Sequence, residues 1–275
     1  MPTQSEKARA FRALHERPGV FVIPNPWDAG TAKLLASLGF ESLATTSLGF
    51  ANTLGRVDGA NAVALSEVLD NCRAVAGATD LPVSADLENC YADAPEIAAR
   101  TIALAAETGV VGGSIEDASG NERSPIYDFT LAVERVAAAV AAARALSFPF
   151  TLTARAENFL HGRPDLDDTI RRLQAFERAG ADVLYAPGLK DLATIRKVVS
   201  AVTKPVNVLM AGLDPALDVR RLGEAGVKRI STGSALARLG LGAFMKGARA
   251  LKTQGSFAWG AEAMPSRELK DVFRG

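Results

Sequence analysis

From Asp167 to Ala186 the chain reads DDTIRRLQAFERAGADVLYA. The first part, Asp167–Ala179, carries apolar residues at helical spacing among charged ones, so it reads as an amphipathic helix. Gly180 then supplies the left-handed stop that commonly ends a helix. The run Asp182–Ala186 is short and apolar, as expected of a strand buried on both faces. Helix, glycine and buried strand in immediate succession form half of a parallel βαβ unit.

The same unit recurs on both sides. Apolar runs lie at Val20–Pro24, Ser42–Thr46, Pro82–Asp86, Val110–Glu116, Phe148–Arg155, Pro205–Met210 and Lys228–Thr232. Helical stretches between them include Ala29–Leu38, Leu65–Val75, Pro95–Thr108, Val133–Ala145, Leu192–Val202 and Leu217–Ala225, and Gly39, Gly109 and Gly226 punctuate them. Eight strands, each followed by a helix and joined without a Pro/Ser-rich linker, predict an α/β fold: a single (β/α)8 TIM-type barrel. An open doubly wound sheet is the alternative. It would place a glycine-rich phosphate turn after the first strand, where this chain has Pro24-Asn25-Pro26-Trp27-Asp28.

At 275 residues, the chain is near the size of one such barrel, and a 48% hydrophobic content suffices for its core. We place the barrel at residues 1–240. Residues 241–275 then form a surplus helical tail, with helices near Ala243–Thr253 and Ser266–Phe273. The tail either docks on a partner subunit or folds back under its own barrel. The formal charge of +0 argues against nucleic acid and anionic membranes as partners. Cys72 and Cys90 show no disulfide or metal spacing, and Met1 to Arg17 has no apolar leader, so a cytoplasmic protein is expected.

Barrels carry their chemistry at the carboxyl ends of their strands. Strand three ends in Asp86-Leu87-Glu88, where alternation puts both acids on one side, and strand four ends in Glu116-Asp117. One such acid could cap a helix or pair with arginine. Converging carboxylates at adjacent strand ends repel one another unless a cation lies between them. Oxygen donors without neighbouring His or Cys suit Mg²⁺, or Mn²⁺, rather than zinc. Strand five ends in Arg155-Ala156-Glu157, a carboxylate clamp with an acid beside it, or a structural ion pair. Small residues after strand two, Thr46-Ser47-Leu48-Gly49, allow close approach of backbone N–H groups to a ligand. Ser231-Thr232-Gly233-Ser234 after strand eight could bind phosphate or simply form a turn.

Taken in order, Pro24-Asn25-Pro26-Trp27-Asp28-Ala29, Thr46-Ser47 with Asp58, Ala85-Asp86-Leu87-Glu88, Ser114-Ile115-Glu116-Asp117 and Ala154-Arg155-Ala156-Glu157 resemble the isocitrate lyase / phosphoenolpyruvate mutase superfamily, in its methylisocitrate lyase / phosphonomutase-like branch. Pro205-Val206-Asn207-Val208 and Ile230-Ser231-Thr232-Gly233 extend the likeness.

The resemblance implies a Mg²⁺-dependent lyase that cleaves a C–C bond of a small 2-hydroxy or 2-oxo di- or tricarboxylic acid through a metal-stabilised enolate. Oxaloacetate decarboxylation, C–P chemistry on phosphonopyruvate, and keto-acid binding without catalysis are the alternatives. It also implies a homodimer or homotetramer whose last helix is exchanged between subunits. Asp86 would touch the metal, with Asp58, Glu88 and Glu116 holding its waters. Ser47, Leu48, Gly49, Asn207 and Arg155 would hold the substrate, and Arg155, Glu116 and Glu157 would act in catalysis.

One departure stands out. The family lyases carry a Lys-Cys-Gly-His loop after strand four; here the stretch is Ala118-Ser119-Gly120-Asn121-Glu122-Arg123-Ser124-Pro125. Glu122, Arg123, Tyr127, Cys90 and His161 are the remaining candidates for moving a proton. A Schiff-base aldolase is disfavoured, because Lys190 sits at a helix start rather than a strand end.

Overall fold

The computed structural model describes residues 2–59 and 62–274. All eight strands are present: β1 (Phe21–Ile23), β2 (Leu43–Ala44), β3 (Val83–Ala85), β4 (Gly112–Glu116), β5 (Thr151–Arg155), β6 (Val183–Tyr185), β7 (Val206–Leu209) and β8 (Arg229–Ser231). Every ladder is parallel, in the order β1-β8-β7-β6-β5-β4-β3-β2. The seam between β1 and β2 is bridged by Ala44 N–H donating to Pro24 O at 3.1 Å and by Asn25 Nδ2 donating to Thr45 O at 2.8 Å. The result is the expected (β/α)8 barrel.

Outside it lie α2 (Ala29–Ser37), α4 (Leu65–Gly77), α5 (Pro95–Ala106), α6 (Phe129–Arg144), α7 (Leu166–Arg178), α8 (Leu192–Ser200) and α9 (Val219–Glu224). Their starts follow the capping rule: Asp28, Asp128, Asp165, Asp191 and Asp218 each accept a first-turn N–H through the side chain.

Two helices go beyond the sequence reading. The polar N-terminus forms α1 (Gln4–Glu16), opened by a Thr3–Glu6 capping box. It buries Ala8, Phe11 and Leu14 against Phe21, Ile23 and Val111, sealing the bottom of the barrel. Room for this plug comes from Gly112, where a Cβ would lie 2.9 Å from Phe11 Cε1 and 2.8 Å from Thr151 O. The turn after β2 is also helical. Thr46 caps α3 (Ser47–Thr53), because its hydroxyl accepts from Gly49 N–H.

The tail differs in extent. Helix α10 runs over Ala235–Gln254 and thus starts well before the predicted Ala243. A 3₁₀ turn at Ala258–Glu262 and α11 (Ser266–Arg274) follow. Of α10 only Ala237 and Gly247 are buried, whereas Leu239, Phe244 and Met245 are exposed. The end of α11 lies on α2 of its own chain, where Lys33 Nζ reaches Phe273 O at 3.4 Å. Among the described residues, no helix is long and apolar enough to cross a membrane.

Candidate active site at the carboxyl end of the barrel

A cavity of about 200 Å³ opens at the carboxyl ends of the strands; its lining includes Ser47, Leu48, Asp58, Asp86, Ser114, Arg155 and Asn207. A second chamber of about 370 Å³ lies above it, bounded by Asp58, Glu88, Glu116, Glu157 and His161, with Ser47 and Arg155 lining both.

Arg155, the last residue of β5, is the centre of the mouth. Its Nη1 pairs with Asp86 Oδ1 at 2.9 Å, Nη2 with Glu116 Oε2 at 3.0 Å, and Nε with Glu157 Oε1 at 2.7 Å. Parallel register explains the convergence: Arg155 stands opposite Glu116 on β4, so adjacent strand ends deliver opposite charges side by side. Burial opposes the charge on Arg155, but Glu116, Glu157 and Asp86 together hold its proton well above the ordinary affinity.

Asp86 has further donors. Ser47 N–H donates to its Oδ2 at 3.1 Å, and Ser114 Oγ donates to its Oδ1 at 3.4 Å. Ser47 Oγ also reaches Asp58 Oδ2 at 3.3 Å. Burial, then repulsion from Asp86, pushes the Asp58 carboxyl up. The same two causes raise Glu88 from 4.5 to about 7. Glu116 is pushed well up, chiefly by burial. Carboxylates therefore outnumber nearby cations.

Strand alternation holds at one site and breaks at the other. Glu116 faces the mouth, whereas Asp117 turns outward, accepting Glu157 N–H at 2.8 Å and Arg172 Nη1 at 3.1 Å. After β3, however, Glu88 leaves the extended conformation at φ +48°, with Cys90 at +57° and Tyr91 at +60°. Left-handed backbone at three non-glycine residues costs energy, about 1–3 kcal/mol each. Arg135, buried behind the loop, offsets it by donating to the carbonyls of Asn89 and Ala92. So Asp86 and Glu88 do not share a face through simple alternation. Asp86 lines the inner cavity and Glu88 the outer, where Tyr91 Oη donates to Glu88 Oε1 at 2.9 Å.

The remaining candidates separate clearly. Ser47 and Leu48 line the inner cavity, but Gly49 does not: it is packed so tightly that a Cβ would lie 2.6 Å from Thr46 Cγ2. Asn207 is at the inner end, its amide divided between Ser231 Oγ at 3.0 Å and Arg229 Nε at 2.8 Å. Cys90 is fully buried with its thiol pushed up to about 12 by burial, as befits a small core residue. Tyr127 is turned away, donating to Asp93 Oδ1 at 2.5 Å. His161 borders the outer chamber.

The stretch after β4 is a tight hairpin, bridged at Ala118 and Ile126, with Asn121–Ser124 exposed at its tip. At the other edge, Thr232 and Gly233 N–H both donate to Asn25 Oδ1, at 3.0 and 2.8 Å, so the turn reading fits and these amides are not offered to a phosphate.

Sequence reading passed over Thr153, Tyr185 and Arg229, which line the inner cavity from below. The signal for Arg229 was a charged residue inside a buried strand, Lys228–Thr232.

A family model for phosphoenolpyruvate phosphomutase matches residues 11–252. The chain belongs to that family. Its membership places it in the isocitrate lyase / phosphoenolpyruvate mutase superfamily of lyases and mutases. A Mycobacterium tuberculosis protein of uncharacterised function is 31% identical, with 88% of each chain covered. A Corynebacterium glutamicum protein provisionally named 2-methylisocitrate lyase 2 is 28% identical over 86% of this chain and 78% of its own. Oxaloacetate decarboxylase of Ectopseudomonas mendocina is also 28% identical, over 84% and 79%.

Among solved structures, one provisionally assigned as a lyase/mutase of Burkholderia cenocepacia J2315 is 55% identical, with a TM-score of 0.96 and coverage of 99% and 97%. Oxaloacetate acetylhydrolase in complex with its product oxalate is 26% identical, with a TM-score of 0.88 over 99% and 95%. Phosphonopyruvate hydrolase, solved with oxalate and Mg²⁺, is 22% identical with a TM-score of 0.86 over 98% and 96%, and is similar in fold.

Proposed function

We propose that this family member is a Mg²⁺-dependent lyase. It would cleave a C–C bond of a small 2-hydroxy or 2-oxo di- or tricarboxylic acid, in the manner of isocitrate or methylisocitrate lyase. The carrying observation is charge: Asp58, Asp86, Glu88, Glu116 and Glu157 border one mouth and crowd around the guanidinium of Arg155. The donor set is hard oxygen, which suits Mg²⁺, with Mn²⁺ as a substitute. Among the described residues, no three His, Cys, Asp or Glu side chains close into a ready cage. Mg²⁺ keeps several waters and takes only one or two carboxylates directly.

In this reading Asp86 is the direct ligand, and Asp58, Glu88 and Glu116 hold the ion's waters. The ion, when bound, supplies positive charge against the oxyanion that develops as the bond breaks. Arg155, freed from Asp86, has a planar fork that matches the substrate carboxylate, assisted by Ser47 and Leu48. Gly49 contributes by letting that turn pack closely, and Asn207 positions the inner wall. Glu116 and Glu157, each already hydrogen-bonded or paired at Arg155, are placed to hold or move a proton beside it.

Residues 1–240 then form the catalytic barrel, and 241–275 a tail that contacts a partner subunit in a homodimer or homotetramer. Two features support such a contact by α10, while α11 lies on α2 of its own chain. Leu239, Phe244 and Met245 of α10 are exposed, and a groove of about 790 Å³ lined by Val22, Leu222, Ile230 and Leu239 lies open beside it. Balanced charge and free cysteines fit the cytoplasm.

The test is turnover with Mg²⁺ on isocitrate, methylisocitrate, 2-methylmalate-type acids, oxaloacetate and phosphonopyruvate, with and without EDTA. Metal-dependent C–C cleavage is expected. Decarboxylation or C–P cleavage would reassign the bond while keeping the site. Mg²⁺-dependent binding without turnover would make the chain a keto-acid-binding protein, and no binding at all would remove the site.

A further inference from the structure

Arg229 opens β8 and is 5% exposed. Its Nε donates to Asn207 Oδ1 at 2.8 Å and its Nη2 to Thr153 Oγ1 at 2.9 Å. Its Nη1 faces His15 Nε2 at 3.4 Å. Every one of these partners is neutral. His15 Nδ1 bonds Phe11 O at 2.8 Å and must be the protonated nitrogen, which leaves Nε2 as an acceptor for the arginine. Burial, helped by the Arg229 charge, drives this imidazole down to about 3. Burial also pushes the nearby Tyr185 phenol up to about 12.

A buried charge without an opposite charge is costly, and most proteins avoid it. The other buried arginines here show the usual solutions. Arg155 has three carboxylates and Arg172 has two, Asp117 and Asp168. Arg135 is wrapped by backbone carbonyls, with the Tyr127 ring 4.3 Å away, and lines neither chamber of the site. Arg229 alone among these four combines neutral partners with a place on the wall of a cavity. A guanidinium has five N–H donors, and three account for its contacts among the described residues. Burial draws even this group down to about 10.

We propose that the inner end of the cavity is an anion subsite. Arg229, flanked by the hydroxyls of Thr153 and Ser231, takes the second acidic group of a dianionic substrate whose 2-oxo acid end lies at the mouth. This rests on the preceding reading only for the position of that outer end. The inner cavity's volume of about 200 Å³ is below the ~300–1,000 Å³ of sites for drug-sized ligands, so the chain linking the two acidic groups is short. Loss of a hydrogen-bonded charge should weaken binding about 10- to 100-fold.

The experiment is calorimetric titration of the whole protein in EDTA with malonate, a diacid with no 2-oxo group, and with malonamide, its uncharged analogue. Malonate should bind detectably tighter than malonamide, and Arg229→Gln should weaken malonate about 10- to 100-fold. In parallel, Mg²⁺-dependent binding of pyruvate should change less than about threefold in Arg229→Gln, because pyruvate has no second acid. Thr153→Asp supplies Arg229 with a built-in counter-ion at a position it already touches, and remains informative if Arg229→Gln does not fold. It should exclude malonate and raise the unfolding temperature. Equal binding of malonate and malonamide by the wild type, unchanged malonate affinity in Arg229→Gln, or retained malonate binding in Thr153→Asp would each overturn the proposal. Failure of Mg²⁺-dependent pyruvate binding would count against the outer site alone, since the malonate titration contains no metal.

Discussion

The two ends of the inner cavity solve the same electrostatic problem in opposite ways. At the mouth, Arg155 is outnumbered: three carboxylates touch it, and Asp58 and Glu88 crowd the same space. At the floor, Arg229 has hydroxyl, amide and imidazole neighbours and no carboxylate among its described contacts. A folded chain selected only for stability would have moved one carboxylate inward and neutralised both ends. Keeping the surpluses apart leaves the mouth short of a cation and the floor short of an anion. The cavity is thereby polarised along the barrel axis before any ligand arrives, which is the preorganisation that makes fixed charges effective in a dry site.

The sharpest way to break this contrast is Asp86→Ala. Turnover should fall by about 10³-fold, the range seen when one preorganised electrostatic partner is removed. Folding should persist, because a like charge is lost from a crowded set; circular dichroism with the substrate panel checks both statements. Next is Arg155→Met. It strands Asp86, Glu116 and Glu157 together, and should cost about 3–5 kcal/mol in a denaturant titration at neutral pH.

The pH dependence sharpens the same point. Glu88 holds its proton more tightly folded, at about 7, than its usual 4.5. Its contribution to stability is therefore full below pH 4.5 and is lost as pH rises through 7. Metal-free protein should lose unfolding temperature over that interval, and Mg²⁺ should restore most of it at the upper end. Phe244→Glu on α10 should shift the proposed homodimer or homotetramer toward monomer in light scattering. The smallest effect belongs to the seal beneath the floor. Thr3→Ala removes the cap of α1 and should cost about 1 kcal/mol without changing turnover.

How legible each region was follows from its physics. The barrel was readable because each strand is a continuous apolar run between glycine-punctuated helices, as at Asp167–Ala186. Asp86, Glu116 and Arg155 were readable because strand ends are where a barrel displays its side chains. Helix α1 was missed because its apolar residues, Ala8, Phe11 and Leu14, are sparse among charges; the Thr3-x-x-Glu6 capping box was the available signal. Arg229 was missed because rows of strand residues say nothing about the shear that brings Thr153, Asn207 and His15 around one guanidinium. Gly49 was read as a ligand contact although its local surroundings demand it for packing. No sequence rule foretold left-handed backbone at Glu88, Cys90 and Tyr91, since it is imposed by Arg135 more than 40 residues away.

The plug under the barrel also bears on how the chain is made. Helix α1 leaves the ribosome before any of the strands, yet His15 meets Arg229 across 214 residues of sequence. At about 5–20 residues per second, His15 waits roughly 10–40 s before the last strand brings Arg229 to it. Closure of the floor is thus a late, long-range step of folding, and nascent chains should pass through an interval in which the stopper is made while the ring of strands around it is incomplete.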